Sequence, residues 1–177
     1  MQWRSNLTRY GIVAKALHWI IVIGIIAQYF LAEAGEDDEG AEPFSAVGLH
    51  ASIGLLILIL AVVRLAWRAV DPHPAWPDTM KRRDVVIARS VHVLFYGLLF
   101  ALPLTGWMLS STEGDTISFF GLFNVPPIVI GNEDLLEDMH EAMFNVLVGL
   151  AALHVLAALK HHFIDRDNVL RSMLMRS

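Results

Sequence analysis

The stretch Met139–His162, MHEAMFNVLVGLAALHVLAALKHH, decides the fold that the rest of the chain is expected to complete. It is long enough to cross a bilayer as one helix, because a spanning helix needs about 20 mainly apolar residues. It carries His140 and His154, whose spacing of 14 residues places both on one face, about 21 Å apart along the helix axis. Two imidazoles at opposite depths of one helix indicate two stacked ligand positions. His161 continues the same stripe.

Composition and hydropathy patterning favour a membrane protein. Hydrophobic residues make up 55% of the 177 residues and charged residues 18%, a balance that is unusually apolar for a soluble domain. Four charge-free windows predict four spanning helices, at roughly 12–33, 45–70, 85–110 and 134–163. The first window has no small-residue cleavage pattern after it and is therefore expected to be a retained helix. We predict an all-α integral membrane four-helix bundle that forms a single domain over residues 1–177.

The distribution of charge predicts an orientation. All 13 Lys and Arg residues lie before the first helix, around the second connection or at the C-terminal end. The positive-inside rule then places both termini and the second connection in the cytoplasm. The first and third connections face the other side and hold 13 of the 18 carboxylates, including the acidic run Glu36–Glu39. That run binds a partner or is simply a solvated loop, and the second interpretation is favoured.

Two local features accompany the helices. The segment Ile117–Gly131 contains Pro126–Pro127 and is too short and too broken to span, so it is expected to form an interfacial or re-entrant cap over the bundle. Asp134, with Glu137 three residues later, resembles a capping box that opens the fourth helix.

The histidines are the candidate functional residues. The chain has no cysteine, which excludes disulfides, iron–sulfur ligation and covalent c-type haem attachment. A metal must therefore be held by histidine or carboxylate. Intramembrane ionisable residues are costly and are functional candidates by default. Six histidines lie in or at the ends of the predicted helices: His18, His50, His92, His140, His154 and His161.

The predicted topology assigns these histidines to two depths. His50 and His140 begin the second and fourth helices on the outer side, where they form a natural pair. His154 lies in the inner half, and either His18 or His92 is placed to be its partner. A haem b takes two imidazoles on opposite faces of its ring, and the facing helices of a bundle provide them.

The order of the motifs resembles a known family. The motifs are Tyr10…His18-Trp19, Leu49-His50-x-Ser52-x-Gly54 running to Arg64, His92…Tyr96, Leu102-Pro103-Leu104-Thr105-Gly106, and His140-x13-His154 followed by Ala158–Phe163. Together they resemble the prokaryotic cytochrome b561 family over nearly the whole chain. The resemblance implies a multi-pass protein of the bacterial inner membrane that binds two non-covalent haem b groups.

The resemblance also implies a set of ligands. It assigns the inner haem to His18 and His154 and the outer haem to His50 and His140, and it leaves His92 close to the inner haem without ligating it. It further implies quinone chemistry, with ubiquinone as the candidate, near the inner end. We therefore take His161 as a candidate quinone residue, because a protonatable imidazole beside an electron carrier can move the protons that a quinone needs.

Three functions remain open. The first is a di-haem electron carrier between a periplasmic-side donor and quinone in respiratory-type electron transport. The second, a superoxide oxidase that reduces ubiquinone, is disfavoured because an acidic outer face repels an anion and attracts a cationic carrier, such as a basic c-type cytochrome. The third is a haem-bearing membrane anchor subunit of a periplasmic redox enzyme. No nucleic-acid partner is expected, and the sequence leaves the donor, the direction of electron flow and the oligomeric state open.

Overall fold

Four long helices dominate the structure, a computed structural model that describes residues 2–35, 42–77 and 80–174. All four are long and apolar enough to cross a membrane, which confirms the predicted four-helix membrane fold. They are α1 (Ile12–Gly35), α2 (Ala46–Val70), α3 (Arg82–Thr112) and α4 (Glu133–Lys160). A π-helical turn (His161–Asp165) and a short helix α5 (Val169–Met173) follow α4. The acidic run Glu36–Glu39 lies outside the described residues.

The start of α4 corrects one detail of the sequence prediction. Asn132, which has an extended backbone, is the N-cap, and its side chain accepts a hydrogen bond from the Leu135 N–H at 3.1 Å. The capping box predicted at Asp134 is therefore wrong, because Asp134 already lies in the first turn of the helix. Asparagine is among the best N-cap residues and occurs two positions earlier. The carboxylates of the first turn still complement the helix dipole.

Consecutive helices pack against each other, α1 on α2, α2 on α3 and α3 on α4. The core joins the first three through the buried side chains of Ile21, Ile57, Ala61 and Leu99. Large apolar side chains such as Leu153, which is 64% exposed, cover the outside of the bundle. An apolar exterior is what a bilayer requires, because the hydrocarbon core offers polar groups no partners.

The N-terminal segment, the second connection and the C-terminal segment meet at one end of the bundle. The Ser5 backbone N–H donates to Asp71 Oδ1 at 3.1 Å, and Asp71 directly follows α2. Trp19 Nε1 near the start of α1 donates to the Met173 carbonyl oxygen at 2.9 Å. These contacts agree with the predicted topology, in which all three segments lie on the same side.

The third connection is held on the opposite end of the bundle by α2. It contains a short antiparallel hairpin of β1 (Ser118–Phe119) and β2 (Phe123–Asn124). The fully buried Ser52 hydroxyl donates to the Ser118 carbonyl oxygen at 3.2 Å and accepts from the Phe120 N–H at 3.1 Å. One side chain of α2 thus fixes this loop, which is expected to form the cap over the bundle.

A Ser52→Ala variant is expected to be destabilised by about 1–3 kcal/mol, because the Phe120 N–H loses its partner while it stays partly buried. The measurement is the thermal unfolding midpoint of the detergent-purified protein. Ser90→Ala, an exposed serine of α3, is the matched control and is expected to change stability by less than about 0.5 kcal/mol. Equal midpoints for the two variants would show that Ser52 does not hold the loop.

Candidate functional site

The outer histidine pair joins α2 to α4. The imidazole ring centroids of His50 and His140 lie 6.2 Å apart. Metal–imidazole bonds of about 2.0 Å on opposite sides of one ion place two ring centroids on the order of 6 Å apart. The spacing of this pair therefore suits two axial imidazole ligands of one metal.

A second layer of residues on α3 orients His140. His140 Nδ1 and Thr105 Oγ1 are hydrogen-bonded at 3.1 Å, while the Thr105 hydroxyl lies 2.9 Å from the Leu102 carbonyl oxygen. In the tautomer that leaves Nε2 free to bind a metal, the His140 Nδ1–H donates to Thr105. Such an outer partner fixes the tautomer and orientation of a ligand histidine. A Cβ at Gly106 would lie 3.1 Å from His140 Cε1, so the ring packs closely against α3.

A cavity of about 300 Å³ adjoins the outer pair. Its lining includes both imidazoles, Gln28 and Glu113, among mostly apolar side chains. Gln28 Oε1 is buried with no hydrogen-bond partner among the described residues. An apolar chamber with a few convergent polar groups is typical of a cofactor site.

The inner cluster brings three histidines together. The ring centroid of His154 on α4 lies 6.5 Å from that of His18 on α1 and 5.7 Å from that of His92 on α3. Phe95 contacts the same ring edge to face at 5.4 Å. Both spacings are of the size that one metal requires, so the distances alone do not choose between the two partners for His154.

Two glycines between the outer and inner levels leave room beside the helix backbone. Apart from the adjoining backbone of the same helix, no atom of the described residues lies within 4 Å of the position that a Cβ would take at Gly97 on α3 or at Gly149 on α4. Gly149 lies between His140 and His154 in the sequence, and Gly97 lies between His92 and Thr105. The paired imidazoles at both levels are donors that suit the iron of haem b, and the glycines have no side chain that would obstruct its ring.

The C-terminal end of α4 positions His161 differently from the other histidines. His161 begins the π-helical turn, and its Nδ1 lies 2.6 Å from Asp167 Oδ2 and 3.2 Å from Asp165 Oδ2. Lys160 Nζ also pairs with Asp165 Oδ2 at 2.6 Å. His161 thus has a carboxylate partner. Within the described residues it has none of the ring contacts that join the five other helix histidines. Isolated π-turns frequently occur at functional sites.

Two functional contacts were not predicted from the sequence. Thr105 was recognised as part of a motif without a role, and its side chain supports His140. Asp167 was not singled out, and it pairs with His161 across the π-turn. A hydroxyl-bearing residue in a membrane helix is a signal for the first, whereas the second depends on the left-handed conformation of Arg166, φ 53°, which turns the chain back.

Four membrane-length helices that carry paired imidazoles at two depths define a class of protein, the membrane cytochromes of the b type. The chain belongs to the prokaryotic cytochrome b561 family, which it matches over residues 9–176. It is therefore a membrane electron-transfer protein that binds haem b.

The chain is similar to several named proteins over almost their whole length. Cytochrome b561 homolog 2 of Escherichia coli K12 is 34% identical over 100% of this chain and 97% of its own. Cytochrome b561 homolog 1 of the same organism is 31% identical over 96% of this chain and 99% of its own. A probable superoxide oxidase of Yersinia pestis is 28% identical over 94% of this chain and 96% of its own.

Proposed function

We propose that this protein is a di-haem b cytochrome that carries electrons between a donor at the outer face of the bacterial inner membrane and quinone at the inner face. His50 and His140 would hold the outer haem, and His18 and His154 the inner haem. When bound, haem b supplies one-electron redox chemistry. With two histidines as its ligands, each haem iron would have no open position for O2, which favours electron transfer over oxygen activation.

The observation that carries the proposal is the presence of two imidazole pairs at two depths of one helix. The pairs contain His140 and His154, and their ring centroids are separated by 6.2 Å and 6.5 Å. Each pair spans two different helices, so each forms only when the bundle is assembled. A repeated arrangement of this kind is hard to explain by packing, because partly buried histidines in a membrane are costly.

The test is a haem count on the purified protein. The reduced-minus-oxidised spectrum and the pyridine haemochrome assay are expected to give two b haems per chain. One haem per chain would mean that one of the two ligand pairs is misassigned. No haem, from cells able to supply it, would refute the assignment of all four ligands.

Charge and contacts together support the proposed orientation. Both terminal segments and the second connection share one end of the bundle, and the basic residues concentrate there. This end is therefore the cytoplasmic one. The end with Ser52 and the hairpin then faces the periplasm, together with the outer histidine pair.

Quinone would react near the cytoplasmic end, with His161 as the proton-transferring residue. The Asp167 carboxylate, 2.6 Å from His161 Nδ1, holds the imidazole in the tautomer whose Nε2 is free to exchange a proton. Quinone reduction consumes protons as well as electrons, so a positioned imidazole of this kind accelerates it.

A His161→Ala variant is expected to lose quinone reduction by about 10²-fold, because positioned acid–base groups contribute about 10²–10⁴-fold. The measurement is the steady-state rate of reduction of a soluble ubiquinone analogue. His73→Ala, at an exposed position of the second connection, is the control. Full activity of the His161 variant, with its haems intact, would remove His161 from the mechanism.

The outer donor would be a cation. The first and third connections and their flanking helix ends carry acidic residues and contain no Lys or Arg in the sequence. A surface of one sign steers oppositely charged partners towards it. The relative from Yersinia pestis makes superoxide oxidation the second candidate, although superoxide is an anion and would be repelled.

A further inference from the structure

Arg64 on α2 occupies a position that corresponds to that of His154 on α4. It follows His50 by 14 residues, just as His154 follows His140 by 14. Four helical turns separate the two positions, so each pair shares one helix face about 21 Å apart along the axis. Helix α2 therefore presents an imidazole to the outer site and a guanidinium at the depth of the inner site.

The charge of Arg64 is not compensated by the protein around it. Its Nη1 is buried and has no hydrogen-bond partner among the described residues. Within the same described part of the chain, no carboxylate lies at salt-bridge distance from its guanidinium. An uncompensated arginine inside a membrane helix is costly, and such residues are retained where their charge acts on a functional group.

The positive charge of Arg64 acts on the inner cluster. His18 and His154, the proposed ligands of the inner haem, experience the charge of Arg64, whereas His92 experiences that of Arg68 more strongly than that of Arg64. The outer site has the opposite environment, because Glu113 and Asp115 line the cavity beside His50 and His140. The two sites therefore differ in the charged side chains that the chain places at their depth.

We propose that Arg64 raises the reduction potential of the inner haem above that of the outer haem and so directs electrons inwards. A haem iron that accepts one electron becomes more negative by one charge, so a nearby cation stabilises the reduced form. The transfer moves one electron: it oxidises the outer iron from ferrous to ferric and reduces the inner iron from ferric to ferrous. Arg64 is thus a tuning residue, and this inference rests on the two haem sites proposed above.

The competing interpretation of Arg64 is a lipid anchor. Arg64 lies six residues before the end of α2, and arginines near a helix end can extend to the lipid headgroups. In that case its charge would be screened by phosphate and water and would leave the haem potentials unchanged. Arg68, one turn nearer the end of α2 and exposed, offers a matched control for this behaviour.

The experiment is an optical redox titration of four proteins, each carrying His140→Ala so that only the inner haem is present. They are the His140→Ala protein itself and the same protein with Arg64→Gln, Arg64→Lys or Arg68→Gln. Arg64→Gln is expected to lower the midpoint potential by about 59 mV or more, which is a tenfold change for a one-electron couple. Arg64→Lys keeps the charge, so the equilibrium constant for reduction of its haem is expected to stay within threefold of that of the parent protein. The same is expected of Arg68→Gln.

Each remaining outcome decides the question. An unmoved potential in Arg64→Gln would overturn the inference and support the lipid anchor. An equal fall in Arg68→Gln would also overturn it, because the effect would then not be specific to Arg64. If Arg64→Gln loses the haem, Arg64→Lys decides the question. An equilibrium constant for reduction within threefold of that of the parent protein supports the role of the charge. A tenfold fall in that constant, or loss of the haem, refutes it. Fewer than two haems in the unmodified protein would instead count against the proposed function itself.

Discussion

A His140→Ala variant is expected to bind one haem per chain where the unmodified protein binds two. His140 and His50 form the outer pair, with ring centroids 6.2 Å apart, and removal of either would leave a bound iron with a single imidazole. His50→Ala should therefore give the same spectrum as His140→Ala. The measurement is the pyridine haemochrome content per chain, together with the reduced-minus-oxidised spectrum of the haem that remains.

At the inner site, the same haem count distinguishes between His18 and His92 as the partner of His154. His154→Ala should remove the inner haem, and His18→Ala should do so as well. His92→Ala is the critical comparison, because its ring is nearer to His154, at 5.7 Å, than that of His18, at 6.5 Å. We expect the His92 variant to keep both haems. Loss of a haem from His92→Ala and its retention in His18→Ala would transfer the ligand assignment to His92.

A matched control separates ligation from general damage. His73→Ala changes an exposed histidine outside the helices and should leave both haems in place. Thr105→Val removes the hydroxyl that supports His140 and is expected to keep the haem with an altered spectrum, because the imidazole loses its hydrogen-bonded partner. A His140 variant that still bound two haems would exclude His140 as a ligand.

The helices could be predicted from the sequence because their signal is local. Each spanning segment contains a long run of apolar residues without charges, and α2 begins and ends within a residue of its predicted bounds. The facing of His50 and His140 also follows from local rules. Both residues lie near the starts of α2 and α4, which run in the same direction across the membrane from the same side, so topology alone brings them to one depth.

Other features could not be predicted because they depend on tertiary packing. The choice between His18 and His92 depends on the rotation of α1 and α3 about their axes, and no spacing within one helix fixes that rotation. The contact of His161 with Asp167 requires the π-turn and the left-handed Arg166, which arise where the chain folds back. The role of Ser52 depends on a loop more than 60 residues away.

The reaction with an outer electron donor is expected to depend strongly on salt, in opposite directions for the two candidate donors. Raising the ionic strength from about 0.01 M to about 0.15 M shortens the screening length from about 30 Å to about 8 Å. The rate with a reduced basic c-type cytochrome should fall by roughly tenfold or more, because electrostatic steering contributes about 10–10³-fold. The rate with superoxide should rise, since the same screening weakens a repulsion.

The acidic surface around α3 and α4 gives this prediction a pH dependence. Burial raises the pKa of the Glu113 carboxyl above its ordinary 4.5, and the carboxylates of Asp115, Glu133 and Glu137 raise that pKa further. As the pH falls, Glu113 therefore takes up its proton earlier than an ordinary glutamate would, and the surface loses negative charge. Attraction of the cationic cytochrome should weaken over that interval, and repulsion of superoxide should weaken with it.

Charge-neutral variants assign the effect to this surface. Glu113→Gln combined with Glu137→Gln should reduce the salt dependence with the basic cytochrome, whereas Asp84→Asn, at the start of α3 on the opposite end of the bundle, should not. The readout is the slope of log rate against log salt, measured by stopped-flow haem reduction. Two results in the unmodified protein would together reject the cationic donor: a slope near zero with the basic cytochrome, and rapid reduction by superoxide at low salt. The reason is that a surface that attracts cations cannot also concentrate an anion.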